Sequence, residues 1–241
     1  MINRIGLIGM AVGNGNNESI GEIKGEIDVS QDDSDPVSSI FLYHLFKWVV
    51  VSPLLHTYFR GRIYGDRHMP RMGKVIFVSN HASDFDPPLV ANCIRRPIAF
   101  MAKEELFKVP VLGTAIRLYG AYPVKRGKAD RAAMRAALGC LAEGRATGVF
   151  LDGTRRSDGR IHSPKLGAAL MAAKSQAPLI PVSLWGTHQI LPKGAKFPQP
   201  APITIRIGEE IPPPASSDRD ELERVTNQCA AAITALLDLG R

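Results

Sequence analysis

Residues 74–88 read KVIFVSNHASDFDPP. The run 74–79 is rich in β-branched and aromatic residues and apolar on both faces, then stops at polar residues followed by two prolines. A strand without polar alternation belongs in a sheet covered on both sides. Asp86-Pro87-Pro88 suits the opening of a helix, where a carboxylate can cap and proline needs no N–H. Outward from this stretch, short apolar runs alternate with helical patterns. Strands are predicted at 74–79, 97–102, 121–124, 148–151, 179–185 and 203–207, and helices at 87–95, 110–118, 129–143, 165–175 and about 218–238. That alternation predicts an α/β fold with a mostly parallel or mixed sheet flanked by helices. In the last helix, Leu222, Val225, Cys229, Ile233 and Leu236 step by three or four, which predicts a face packed on the sheet. Pro181, inside an otherwise buried strand, predicts an edge or a bulge.

The chain has 241 residues, 45% hydrophobic and 22% charged, enough for one substantial domain and too apolar for disorder. Cys93, Cys140 and Cys229 are widely separated with no CxxC, which disfavours a disulfide scaffold or a zinc site and fits buried thiols in a reducing compartment. The net charge is +7. Residues 1–39 hold Arg4 and Lys24 against seven acids, so the remainder is strongly basic. Residues 95–135 carry ten Lys and Arg against Glu104, Glu105 and Asp130. Such a surface suits phosphate, nucleic acid or an anionic membrane.

Residues 1–36 are rich in Gly, Asn, Ser and acid and read as a mobile acidic leader; their glycines and the lack of an A-x-A-like site argue against a secretory signal. Composition then switches to an apolar element over 37–60. Its run 40–55 is interrupted by His44, Lys47 and Pro53, whereas a spanning helix needs about 20 mostly apolar residues. Two short helices separated at Pro53 are expected, packed on the core or lying on a bilayer. In the bilayer reading Phe41, Phe46, Trp48, Val51, Leu54 and Leu55 insert, while Lys47, Arg60 and Arg62 meet headgroups. Residues 61–241 form the α/β domain.

The chain contains no G-x-x-x-x-G-K-[ST], G-x-S-x-G or H-E-x-x-H, which removes P-loop, serine-esterase and zinc-protease readings. What remains lies at strand ends, where ligands bind in parallel sheets. After the first strand, His81 has a carboxylate five residues on. Such a pair can hold one ring nitrogen and leave the other to take a proton from a hydroxyl. Asp86 is equally a helix cap, and Asp84 is a rival partner for His81. Lys125 and Arg126 follow the strand at 121–124 and suit phosphate or solvent. After the strand at 148–151, Asp152, Gly153, Thr154 and Arg155 combine a turn glycine, a hydroxyl and a guanidinium fork, again suited to an anion.

Taken together and in order, NHASDFD, GAYPVKR, FLDGTRR and LIPVSLWG resemble the four blocks of the glycerolipid acyltransferases, in particular the bacterial 1-acyl-sn-glycerol-3-phosphate acyltransferases. The likeness runs from about Tyr64 to Gly186, and the helical pair resembles the family's membrane-docking element. The resemblance implies His81 as general base, Asp86 as the residue that orients it, and Arg126, Gly153 and Arg155, with Lys125, Asp152 and Thr154 beside them, as binding the glycerol phosphate. Leu151 and Asp152 stand where the family has Pro and Glu, so the charge is kept on a side chain one methylene shorter. It further implies acyl transfer from coenzyme A or acyl carrier protein to lysophosphatidate, no cofactor or metal, no nucleic acid, and monotopic attachment to an anionic membrane surface at its cytoplasmic face. Another lysolipid as acceptor, or a non-catalytic lipid-binding protein, are the alternatives.

Overall fold

The computed structural model describes residues 44–45, 47–94, 96–108, 112–118, 121–124, 129–192, 195 and 197–241. The leader 1–36, Phe41, Phe46, Lys125 and Arg126 lie outside these residues. Strands β1 (Arg62–Tyr64), β2 (Val75–Ser79), β3 (Ile98–Lys103), β4 (Tyr122–Val124), β5 (Ala146–Phe150), β6 (Leu179–Trp185) and β7 (Thr204–Ile207) form one sheet in the order β1-β7-β6-β2-β5-β3-β4. From β6 to β4 all neighbours are parallel; β7 runs antiparallel to β6, and β1 is parallel to β7. Five parallel strands therefore deliver their carboxyl ends to the same edge.

The sheet is covered on both faces, as the unbroken apolar run in β2 requires. Val75 and Phe77 point to one side, packing with helix α1 (Asp86–Cys93) and with Val51, Leu55 and Phe59. Ile76 and Val78 point to the other. There they meet α3 (Ala129–Ala142), which follows α2 (Leu112–Leu118), together with α4 (Gly167–Ser175) and α5 (Arg219–Asp238). The face of α5 is the expected one, except that Leu237, not Leu236, is the buried residue of its last turn.

Three expectations for the N-terminal element are corrected. Pro53 does not break the N-terminal element. Its backbone stays helical (φ −61°, ψ −41°), and helical structure runs from Lys47 to Tyr58, of π type at Lys47–Val51 and Leu54–Tyr58. A π turn shifts the preceding carbonyls that an α-turn would press against the proline ring. Lys47 is not on the basic fringe: it is buried, and its Nζ donates to Ile94 O at 2.6 Å, just past the carboxyl end of α1, where the carbonyls carry partial negative charge. Val51 and Leu55 are core residues and are unavailable to a membrane, whereas Leu45, Trp48, Val49, Val50 and Tyr58 are exposed. This element thus packs one side on the domain and presents an apolar side outward.

Pro181 sits in an interior strand, not at an edge. Its nitrogen faces β7, where the pairing Val182–Ile207 is followed by Leu179–Ile211, giving the β7 side one extra residue. The missing N–H therefore falls opposite an interruption in the ladder, and Pro181 O still accepts from Gly208 N–H at 2.8 Å. The strand β1, three residues long, is too short to show a period in the sequence.

Candidate active site

The β2 ladder does not stop at Ser79. Asn80, almost fully buried, continues it with a side chain: Leu184 N–H donates to Oδ1 at 2.8 Å, and Nδ2 donates to Leu184 O at 3.0 Å and Gly159 O at 2.7 Å. One amide joins the ends of β2 and β6 to the loop after β5. The next residue, His81, is thereby placed at the carboxyl edge of the sheet. Its backbone is also held, since Arg156 N–H donates to His81 O at 2.8 Å.

The chain then turns so that Asp86 returns beneath His81. Nδ1 of His81 lies 2.8 Å from Asp86 Oδ2, and the same oxygen accepts from Ala82 N–H at 2.7 Å and Ser83 N–H at 2.8 Å. A carboxylate can only accept, so the Nδ1 proton is fixed and the lone pair is left on Nε2. Asp86 is the first residue of α1, with Phe85 in the cap position and no side-chain cap bond. The capping alternative for Asp86 is therefore replaced by a bond back into the preceding turn. Asp86 is 0% exposed whereas the His81 side chain keeps 16% of its surface, so only the imidazole is reachable from outside.

The loop after β5 lies beside this turn, because β5 is the neighbour of β2 with Ser79 opposite Phe150. Leu151 N–H donates to Ser79 O at 2.9 Å, a bond that proline at this position would lose. Gly153 closes the turn with its N–H on Phe150 O at 2.9 Å and takes φ +66°, which favours glycine. Asp152 turns inward. Its Oδ2 accepts from Arg156 Nε at 2.6 Å and His162 N–H at 3.1 Å, and its Oδ1 from Ser163 N–H at 3.1 Å. Burial pushes this carboxyl up, but the hydrogen bonds and the Arg156 charge outweigh it and hold it below the usual aspartate value. Thr154 and Arg155 are exposed, and the Arg155 guanidinium pairs with Asp84. The two candidate carboxylates are thus separated: Asp86 meets His81, and Asp84 meets Arg155. Among the described residues no three of His, Cys, Asp and Glu gather closely enough to hold a metal ion.

The sequence profile of the Acyltransferase family matches residues 60–185, just over half of the chain. The chain belongs to this family. Similar curated proteins include the chloroplast 1-acyl-sn-glycerol-3-phosphate acyltransferase of Arabidopsis thaliana, 29% identical over 67% of this chain and 46% of the relative. A 1-acyl-sn-glycerol-3-phosphate acyltransferase of Bacillus subtilis is 28% identical over 62% of this chain and 73% of its own. This family member spans about half the length of the Arabidopsis relative. Among solved structures, the 1-acyl-sn-glycerophosphate acyltransferase of Thermotoga maritima is 28% identical, with a TM-score of 0.64 over 83% of this chain and 87% of that one.

Two further residues of the site, Asn80 and Phe150, are not among the candidates that the sequence singles out. Asn80 carries a readable signal, a polar residue at the end of a fully buried strand, which must find partners. Phe150, whose ring stacks on His81 with centroids 3.8 Å apart, carries only its place on the same side of β5 as Gly148. Asp152, tied into its own loop, predicts an outcome. Asp152→Ala should destabilise the protein by about 1–3 kcal/mol, with Asp152→Asn intermediate because its amide oxygen still accepts. Since the folded carboxyl titrates below its unfolded counterpart, its contribution is full above about pH 4 and is lost as pH falls through the folded value. Denaturant unfolding at pH 7 and pH 3 checks this; an Asp152→Ala protein as stable as wild type at pH 7 would contradict it.

Proposed function

We propose that this protein transfers a fatty acyl group from a thioester, on coenzyme A or acyl carrier protein, to the sn-2 hydroxyl of a 1-acylglycerol 3-phosphate, forming phosphatidate. The observation that carries the proposal is the His81–Asp86 pair, with Nδ1 held and Nε2 left to accept, at an open strand edge beside Arg155. The names of the relatives supply the substrate class. An alcohol is too weak an acid to attack a thioester unaided. Nε2 of His81 takes the hydroxyl proton as the oxygen bonds to the thioester carbon, the tetrahedral intermediate expels the thiolate, and the proton passes to sulfur. The products are ester and free thiol, with no cofactor and no acyl-enzyme. Asp86 keeps the imidazole in the competent tautomer and stabilises the imidazolium. The acceptor's phosphate takes the place of Asp84 on Arg155, a fork that matches phosphate bidentately, while Gly153 and Thr154 line the same turn. Arg126, with Lys125, supplies the remaining positive charge, and Asp152 acts by holding the Arg155 loop. Purified protein with lysophosphatidate and each thioester is the test. Phosphatidate should form, and His81→Ala should lower turnover by roughly 10²- to 10⁴-fold with the fold intact; wild-type turnover in that variant, or no phosphatidate from either donor, would sink the reading.

Both acceptor and product reside in bilayers, and we place the enzyme on the cytoplasmic face of a membrane as a monotopic protein. Trp48 and Val49 are 66% and 64% exposed on the outer side of the N-terminal element, with Val50 beside them. No described helix is long and apolar enough to cross a membrane. Arg60 and Arg62, both exposed, are placed to meet anionic headgroups at about 1 kcal/mol each. Full-length protein and a form lacking 1–36 should both sediment with anionic vesicles, and a Trp48→Ser, Val49→Ser, Val50→Ser variant should sediment poorly. Equal binding by all three would show that the contact lies elsewhere.

A further inference from the structure

Three rings form a column on one side of the sheet. Phe100 of β3 lies 5.6 Å from Phe150 of β5 with planes 20° apart, and Phe150 lies 3.8 Å from the His81 imidazole with planes 13° apart. The column is built into the strand. Gly148, two residues before Phe150 and on the same side, has no side chain, and a Cβ there would sit 2.1 Å from Cε1 of Phe100. Glycine at 148 therefore lets Phe100 lie across β5, where its ring stacks under Phe150. Phe150 is itself only half-buried, with His81 on its outer end.

We infer that Phe150 is a positioning residue of the acyl transfer, acting through His81 by presenting its π face to the imidazolium that forms during the reaction. The inference rests on the reading of His81 as general base. A general base starts from the neutral imidazole, against which the stack contributes packing. When the acceptor's proton arrives on Nε2, the ring becomes a cation. A cation over an aromatic face within about 6 Å is attracted by the ring's quadrupole. The attraction is stronger for the charged ring than for the neutral one, so it favours the transition state over the ground state, which raises kcat rather than substrate affinity. Asp86 acts on the same cation from the ring edge through Nδ1, and Phe150 acts from the face. The two are geometrically independent: Asp86 also accepts from the backbone of its own turn, whereas Phe150 is placed by Gly148 and Phe100.

Electrostatics at the ring face can be changed without changing its shape. Phenylalanine bearing one, two or three ring fluorines, incorporated at position 150 of the full chain, drains the π face stepwise while leaving the ring stacked. kcat for phosphatidate formation should fall with each fluorine, reaching about tenfold for the trifluoro ring, with the acceptor KM unchanged within about twofold. Phe150→Tyr should stay near wild type, and Phe150→Leu should fall at least as far as the trifluoro form while thermal unfolding confirms that it is folded. A kcat that stays flat across the fluorine series would overturn the inference, as would a Leu variant with wild-type kcat. Wild-type turnover in His81→Ala would instead overturn the general-base reading and this inference with it, so the two failures are distinguishable.

Discussion

One oxygen organises the site. Asp86 Oδ2 accepts three hydrogen bonds, from the His81 ring and from the N–H groups of Ala82 and Ser83. A buried carboxylate without such partners would be strongly disfavoured as an anion. With them it is fixed, and so is everything it touches: the tautomer of His81, the turn that carries it, and the point at which α1 begins. The turn would be an ordinary polar loop if the carboxylate pointed elsewhere. Because it points inward, the chain from Ser79 to Pro87 forms a closed turn in which the carboxylate is buried and the imidazole keeps access to the outside.

That turn needs a rigid base, and the sheet provides it. β2 lies in the middle, between β5 and β6, and both neighbours are bonded past the formal end of the strand. Leu151 N–H reaches Ser79 O, and the Asn80 amide reaches both backbone groups of Leu184. The polar residues of the first and third sequence blocks meet because β2 and β5 are parallel neighbours, so their carboxyl ends share one edge. On the other side of the same strands, α1 and the residues Val51, Leu55 and Phe59 of the N-terminal element share one core. Phe59 also meets Phe85 edge to face, with ring centroids 6.0 Å apart. The outward apolar side of that element and the His81 turn are therefore parts of one packed body.

The strands and helices were legible because both faces of the sheet are covered, which turns β2 and β6 into unbroken apolar runs and gives α5 its single packed face. What the sequence hid was direction. Lys47 and Val51 look like a basic fringe and an inserting residue, and only tertiary packing shows that both point into the domain. Pro53 reads as a break, but a break is avoidable when the helix widens to a π turn. Asp152 reads as an anion-site residue by its neighbours, while its carboxylate is spent on Arg156 and on two N–H groups about ten residues ahead. The choice between Asp84 and Asp86 lay beyond spacing alone, since both fall within reach of His81 along the chain; the return of α1 beneath the imidazole decides it.

The central claim is that His81 and Asp86 work as one unit, and a double-mutant cycle on kcat/KM measures that directly. If Asp86 acts through His81, the variant carrying both His81→Ala and Asp86→Ala is no slower than His81→Ala alone, because the orienting residue has nothing left to orient. Losses that multiply, so that the double variant is slower than His81→Ala by the full factor of Asp86→Ala, would contradict the account.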